Sequence, residues 1–168
     1  MASTVTASTM TVTISESINL NGANQGGTTS LSIPSIGEVY KRIVTVPVSG
    51  DGIISLIETT GDSGTTVDAG KFIVENMKYL RITNLNDTAG EGIILQIARD
   101  DNSNSTDDEC AWFLLEEGKS FILNTFDSAF NANNEDDDTP ALDAITDIRA
   151  LNESASVAVD LEIFIAST

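Results

Sequence analysis

The chain has 168 residues, 40% of them apolar and 20% charged, a globular composition with length for one domain and a sizeable core. It carries 26 acids, 8 bases and no histidine, for a net charge of -18. That balance offers no Lys/Arg cluster for a nucleic-acid backbone, disfavours an anionic membrane surface, and excludes His-based triads and His metal sites.

The charge is uneven. Residues 1–83 hold 7 acids and 5 bases, net -2, whereas residues 84–168 hold 19 acids and 3 bases, net -16. Acidic loops of this kind keep a protein soluble. The single cysteine, Cys110, leaves no partner for an intramolecular disulfide, so stability must come from the core or from assembly with other chains.

In chain order, residues 1–9 are small and Ser/Thr-rich, and the opening MASTVTASTMTVTIS has no basic region and no long apolar run, so neither a signal peptide nor a membrane span is expected there. MTVTIS sets Met10, Val12 and Ile14 against Thr and Ser, the period-two signature of a strand. Residues 19–27, NLNGANQGG, read as a Gly/Asn loop, and TTSLSI as a weaker strand. VYKRIVTVPV is a long β-branched strand whose Pro47 suggests an edge or a bulge. A turn at Ser49-Gly50-Asp51-Gly52 then predicts a hairpin into GIISLIETT. KFIVE is a weaker strand. YLRITNL and GIILQIAR are expected to pair as a hairpin across NDTAGE. AWFLL and SFIL are expected to do the same across Glu116–Lys119, where Gly118 can take positive φ. TPALDAITDIRA allows a helical turn after Pro140 before becoming the strand ITDIRALN. The last strand, VAVDLEIFIA, puts Val157, Val159, Leu161, Ile163 and Ile165 on one face and Asp160, Glu162 and Phe164 on the other.

Together these predict an all-β protein, an antiparallel β-sandwich or jelly roll of about eight to ten strands. The expected organisation is an N-terminal arm with the first strand over residues 1–20, then one sandwich domain over residues 21–168. The arm is expected to reach a neighbouring subunit.

No constellation points to catalysis. The many carboxylates lie in hydrophilic loops, where nothing raises a pKa for general acid–base work. Lys119 and Ser120 are adjacent, so on a strand they point to opposite faces. The acidic loops 100–109 (DDNSNSTDDE) and 131–140 (NANNEDDDTP) carry oxygen ligands suited to calcium, but the first lacks the central glycine and terminal Glu of a calcium loop. Solvated loops are the simpler account. Cys110 precedes AWFLL, apolar on both faces, which predicts a strand covered on both sides with Trp112 and the thiol buried. Sequons at Asn86, Asn104 and Asn152 are expected by chance in an Asn/Ser/Thr-rich chain. Catalytic, cofactor and metal residues are therefore all expected to be none.

The order YLRITNLNDTAGEGIILQIA, AWFLLEEGKSFIL, ITDIRALNESASVAVDLEIFIAST resembles small β-structured virion proteins of tailed phages, especially marine and cyanobacterial ones. The resemblance spans residues 78–168, and its motifs are structural. It implies a capsid decoration (cement) protein on the outer capsid surface, bound to the major capsid protein, working as a homotrimer, without enzymatic activity, nucleic acid or membrane. The nearly neutral first half and the acidic second half fit one side that docks and one that faces water. Two other readings remain open: a tail or head-fibre component, and a carbohydrate-binding or adhesive sandwich module, which would present exposed aromatic platforms.

Overall fold

The computed structural model describes residues 6–48, 54–58, 76–99, 109–124, 129–130, 143–145 and 147–168. Among these the regular structure is strand, with no α-helix: β1 (Ser8–Ser15), β2 (Asn19–Leu20), β3 (Ala23–Asn24), β4 (Thr28–Ile36), β5 (Glu38–Val46), β6 (Ile54–Glu58), β7 (Met77–Asn84), β8 (Ile93–Arg99), β9 (Glu109–Leu115), β10 (Ser120–Leu123), β11 (Ala129–Phe130), β12 (Asp143–Ala144), β13 (Asp147–Asn152) and β14 (Val159–Ser167). The fold is all-β.

Eight strands form two four-stranded antiparallel sheets, ordered β10-β7-β14-β5 and β6-β13-β8-β9. Taken in chain order, the first of the eight pairs with the last (β5 with β14), the second with the seventh (β6 with β13), the third with the sixth (β7 with β10) and the fourth with the fifth (β8 with β9). A long hairpin rolled over on itself has this order, which is that of a jelly roll.

The core lies between the sheets. Leu80 and Ile82 of β7 and Leu161, Ile163 and Ile165 of β14 meet Ile93, Leu95 and Ile97 of β8 and Ile148 and Ala150 of β13 in one buried cluster. Each fully buried Leu or Ile contributes about 1.5–3 kcal/mol of burial. The expected alternation is observed within β14, where Val159, Leu161, Ile163 and Ile165 are buried while Asp160 is exposed and Glu162 and Phe164 are half-buried on the outer face; Val157, expected on the core face, precedes the strand and is exposed.

The three expected sandwich hairpins are not formed. β5 and β6, β7 and β8, and β9 and β10 lie in opposite sheets, and the described connections, β7 to β8 and β9 to β10, are arches across the core. An arch and a hairpin both turn one alternate set of side chains toward the same core, so the period-two pattern reads identically for either. The Ser49–Gly52 turn, the KFIVE segment and residues 139–142 at the start of TPALDAITDIRA lie outside the described residues; Asp143–Ala144 form β12, and the stretch from Asp147 is β13. Pro47 follows the last residue of β5, an edge strand.

The two halves of the sequence are interleaved. β14 sits between β7 and β5, and β13 between β6 and β8. The charge boundary near residue 84 therefore does not divide a docking side from a solvated side.

A separate two-stranded ribbon precedes the sandwich. β1 pairs with β4, and residues 19–27 continue the ribbon rather than forming an irregular loop. β2 and β3 turn through Asn21 (φ 52) and Gly22 (φ 81), an Asn-Gly pair suited to a tight hairpin. The backbone bonds Glu16 N–Gly27 O (2.8 Å) and Gln25 N–Ile18 O (2.9 Å) join the two parts. At its base, β4 passes through Pro34 and Ser35 (φ 63), opposite a register shift in β1, and Gly37 leads into β5. The residue-20 boundary drawn from sequence falls inside this ribbon.

Candidate interaction surfaces

The outermost strand of the second sheet is β9, and among the described residues no strand pairs with its free edge. Its register with β8 is continuous, without a bulge. Between Cys110 and Leu115 it has no charge and no proline, the usual devices that blunt an edge. Trp112 is 49% exposed, Phe113 44% and Leu114 58%. The strand is thus open on both faces, contrary to the expectation of a doubly covered strand with a buried Trp112. The reason is its place at the edge: Leu115 alone of its bulky side chains is buried, reaching inward to the core cluster. Phe113 leans on Phe121 of β10, with ring centroids 5.8 Å apart, and closes the gap between the sheets. A shallow groove follows, lined by Leu95, Phe113, Leu115, Lys119 and Phe121. Cys110 is half-buried rather than buried.

On the outer face of the same sheet, Trp112 lies directly opposite Gln96, which in turn lies opposite Arg149. Gln96 is buried, and its Oε1 accepts no hydrogen bond. Arg149 Nε donates to Asp147 Oδ2 at 2.5 Å.

The outer face of the other sheet carries a charged centre. Lys41 of β5 and Arg81 of β7 both reach Glu162 of β14; the Lys41 Nζ–Glu162 Oε2 distance is 2.6 Å. The hydrogen bond from Lys41 holds the Glu162 carboxyl below the ordinary glutamate range, burial opposes this, and the charges of Lys41 and Arg81 add to the lowering. Ile43 (61% exposed), Val39 and Ile122 flank this centre as exposed apolar side chains. Toward one end Tyr79 and Phe164 meet edge to face, centroids 6.0 Å apart, and with Ala166 they seat the base of the ribbon through Met10, Val12, Ile33 and Ile36.

The residues weighed for chemistry are not brought together. Lys119 and Ser120 are both exposed; Ser120 Oγ bonds Thr83 Oγ1 at 2.8 Å, and Gly118 takes φ 67 in the turn. Of the calcium candidates, residues 100–108 and 131–140 lie outside the described residues, as does Asn104, and among the described residues no acidic or Cys cluster has the arrangement of a metal site. Asn86 and Asn152 have structural roles. Asn152 is buried, donating to Val46 O (3.4 Å) and Val157 O (2.8 Å), while Asn86 Nδ2 donates to Glu91 Oε2 at 2.8 Å. Sequence reasoning missed this use of the asparagines. Asn152 is the last residue of β13 and Asn86 stands two residues past the end of β7, each at a polar turn, and that placement was the available signal.

No protein-family model matches the chain, and no curated protein or solved structure matches it either.

Proposed function

We propose that this chain is a non-enzymatic structural protein of a phage virion, a decoration protein that binds the outer surface of the major capsid subunits and stabilises the shell, acting as a homotrimer. The observation that carries this reading is the β9 edge. Three consecutive large apolar side chains, Trp112, Phe113 and Leu114, stand exposed on a strand whose outer edge pairs with no strand among the described residues. Edges of this kind recruit protein strands, and exposed apolar patches mark protein contacts. The jelly-roll order and the resemblance over residues 78–168 support the same assignment, since capsid proteins use this architecture. A jelly roll alone does not specify a function, so the assignment leans on the surface.

The reading is tested by adding the purified chain to shells that lack it. Wild type should co-sediment with shells and raise their thermal stability, and Leu114→Asp should lose binding while remaining folded. Full binding by Leu114→Asp together with Trp112→Ala would remove β9 from the contact, and no binding of wild type would overturn the assignment.

A second reading gains from one observation. Trp112 is half-exposed beside Gln96 and Arg149, an aromatic with polar neighbours of the kind that a carbohydrate-binding module presents. Quenching or shifting of Trp112 fluorescence by cell-surface glycans, without shell binding, would favour this module.

A further inference from the structure

The ribbon is amphipathic along its whole paired length. Met10, Val12, Ile14, Leu31 and Ile33 occupy one face. The other face carries the cross-strand hydroxyl pairs Thr11–Ser32, Thr13–Ser30 and Ser15–Thr28, the last two joined by side-chain hydrogen bonds of 3.2 Å. Only the base of the apolar face is used. Ile33 and Ile36 are buried on Tyr79 and Ala166, with Met10 and Val12 packed beside them. Beyond Val12 the same stripe continues into solvent: Ile14 is 50% exposed and Leu31 38%, with Ile18 and Leu20 exposed nearer the tip. A two-stranded ribbon in water is marginal by itself, so an uncovered apolar face over roughly half its length calls for a partner surface.

The partner must satisfy charge as well as shape. Two copies of a chain at net -18 repel one another, so a contact between them needs regions poor in acid. From Ser8 to Ile36 the ribbon has one charged residue, Glu16. On the outer face of β5, β7 and β14, Lys41 and Arg81 balance Asp160 and Glu162, so this face carries no net charge in a chain at net -18. The outer face that they share with β14 already accepts the ribbon base, and it continues past that seat with Ile43, Val39 and Ile122 exposed.

We infer that the distal half of the ribbon docks through Ile14 and Leu31 onto the Val39–Ile43–Ile122 face of a second copy of this chain. Each copy then both gives a ribbon and receives one. A head-to-tail contact of this type closes into a ring when the rotation permits. The inference stands on the ribbon and the sheet face, and does not depend on attachment to a virion.

The test uses the full chain in a Cys110→Ser background. One preparation carries Ile14→Cys, another carries Ile43→Cys, and the two are mixed under oxidising conditions. The expected result is a disulfide between the two chains, formed at least tenfold faster than between Ile14→Cys and a control cysteine at Leu85. Sedimentation of the chain without introduced cysteines should show self-association at micromolar concentration. Leu31→Ser with Ile14→Ser should weaken it at least tenfold without loss of the folded sandwich, judged by circular dichroism. A chain that stays monomeric at these concentrations, or an association unchanged by both serine variants and by Ile43→Asp, overturns the inference. Shell binding retained by a monomeric chain would overturn the ribbon contact and leave the virion assignment standing.

Discussion

Asn84 and Asn152 do the same work at two arches of the jelly roll. Each is the last residue of its strand, each is buried, and each leads into a connection that crosses from one sheet to the other. Asn84 Nδ2 donates to Glu91 O (2.8 Å), just before β8, and to Leu115 O (3.4 Å), at the end of β9. Asn152 Nδ2 donates to Val157 O (2.8 Å), just before β14, and to Val46 O (3.4 Å), at the end of β5. Both accept through Oδ1 from the backbone amide two residues on, Asn86 N at 3.1 Å and Ser154 N at 2.8 Å. Each side chain thereby satisfies backbone groups that an arch, unlike a hairpin, leaves without ladder partners.

The asparagines therefore set the first prediction. Asn84→Leu or Asn152→Leu leaves buried carbonyls and an amide unpaired and should destabilise the fold by about 1–3 kcal/mol per site. Urea unfolding followed by circular dichroism measures it. The double variant should be close to additive, because the two sites share no hydrogen-bond partner.

Glu162 makes a pH-dependent contribution. Its folded pKa is lowered, with the Lys41 hydrogen bond as the main cause. A lowered carboxylate pKa gives stability that is fully present above the ordinary glutamate value of about 4.5 and is lost as pH falls through the lowered folded value. The stability difference between wild type and Glu162→Gln should thus be constant near neutral pH and shrink in the acid range. The difference isolates this group from the other 25 acids, whose mutual repulsion also changes with pH. Melting temperatures of both proteins across that range give the result.

Gly26 is required by close approach. A Cβ there would lie 2.0 Å from Glu16 O and 2.9 Å from the Cα of Ser17. Gly26→Ala should open the junction between the two parts of the ribbon and expose the Glu16 and Gln25 amides to hydrogen exchange. Amides of β7 and β14 should keep their protection, since the substitution is remote from the core cluster.

Trp112 is the only tryptophan, so its fluorescence reports β9 directly. In the free chain its emission should be that of a water-contacting indole and open to acrylamide quenching. On binding a shell, the emission should shift to the blue and quenching should fall. An emission already blue-shifted in the free chain would contradict the exposure of the strand.

Much of this fold is legible in the sequence, for a clear reason. The alternation in VDLEIFIA and YLRIT marks which side chains meet the core, and that pattern survives whichever strand lies alongside. Pairing is another matter. Leu80 and Ile82 face Ile93, Leu95 and Ile97 whether NDTAGE makes a hairpin or an arch, so the pattern cannot choose between them. The feature that chooses is Asn84, whose amide reaches Leu115 O, 31 residues on. Exposure is hidden from sequence in the same way. AWFLL reads as a doubly buried strand, and its edge position arises only from the order in which eight strands pair. The Asn21-Gly22 turn was the most legible feature overlooked, because the glycines around it suggest a loop.

The proposed function places this chain in the shell of a phage particle. Quantitative mass spectrometry of purified particles of a phage whose genome carries this sequence, counting this chain against the major capsid protein, tests it most directly. The account predicts hundreds of copies in a fixed ratio to capsid subunits, as repeated shell sites require. Absence from purified particles, or only a handful of copies per particle, would contradict it.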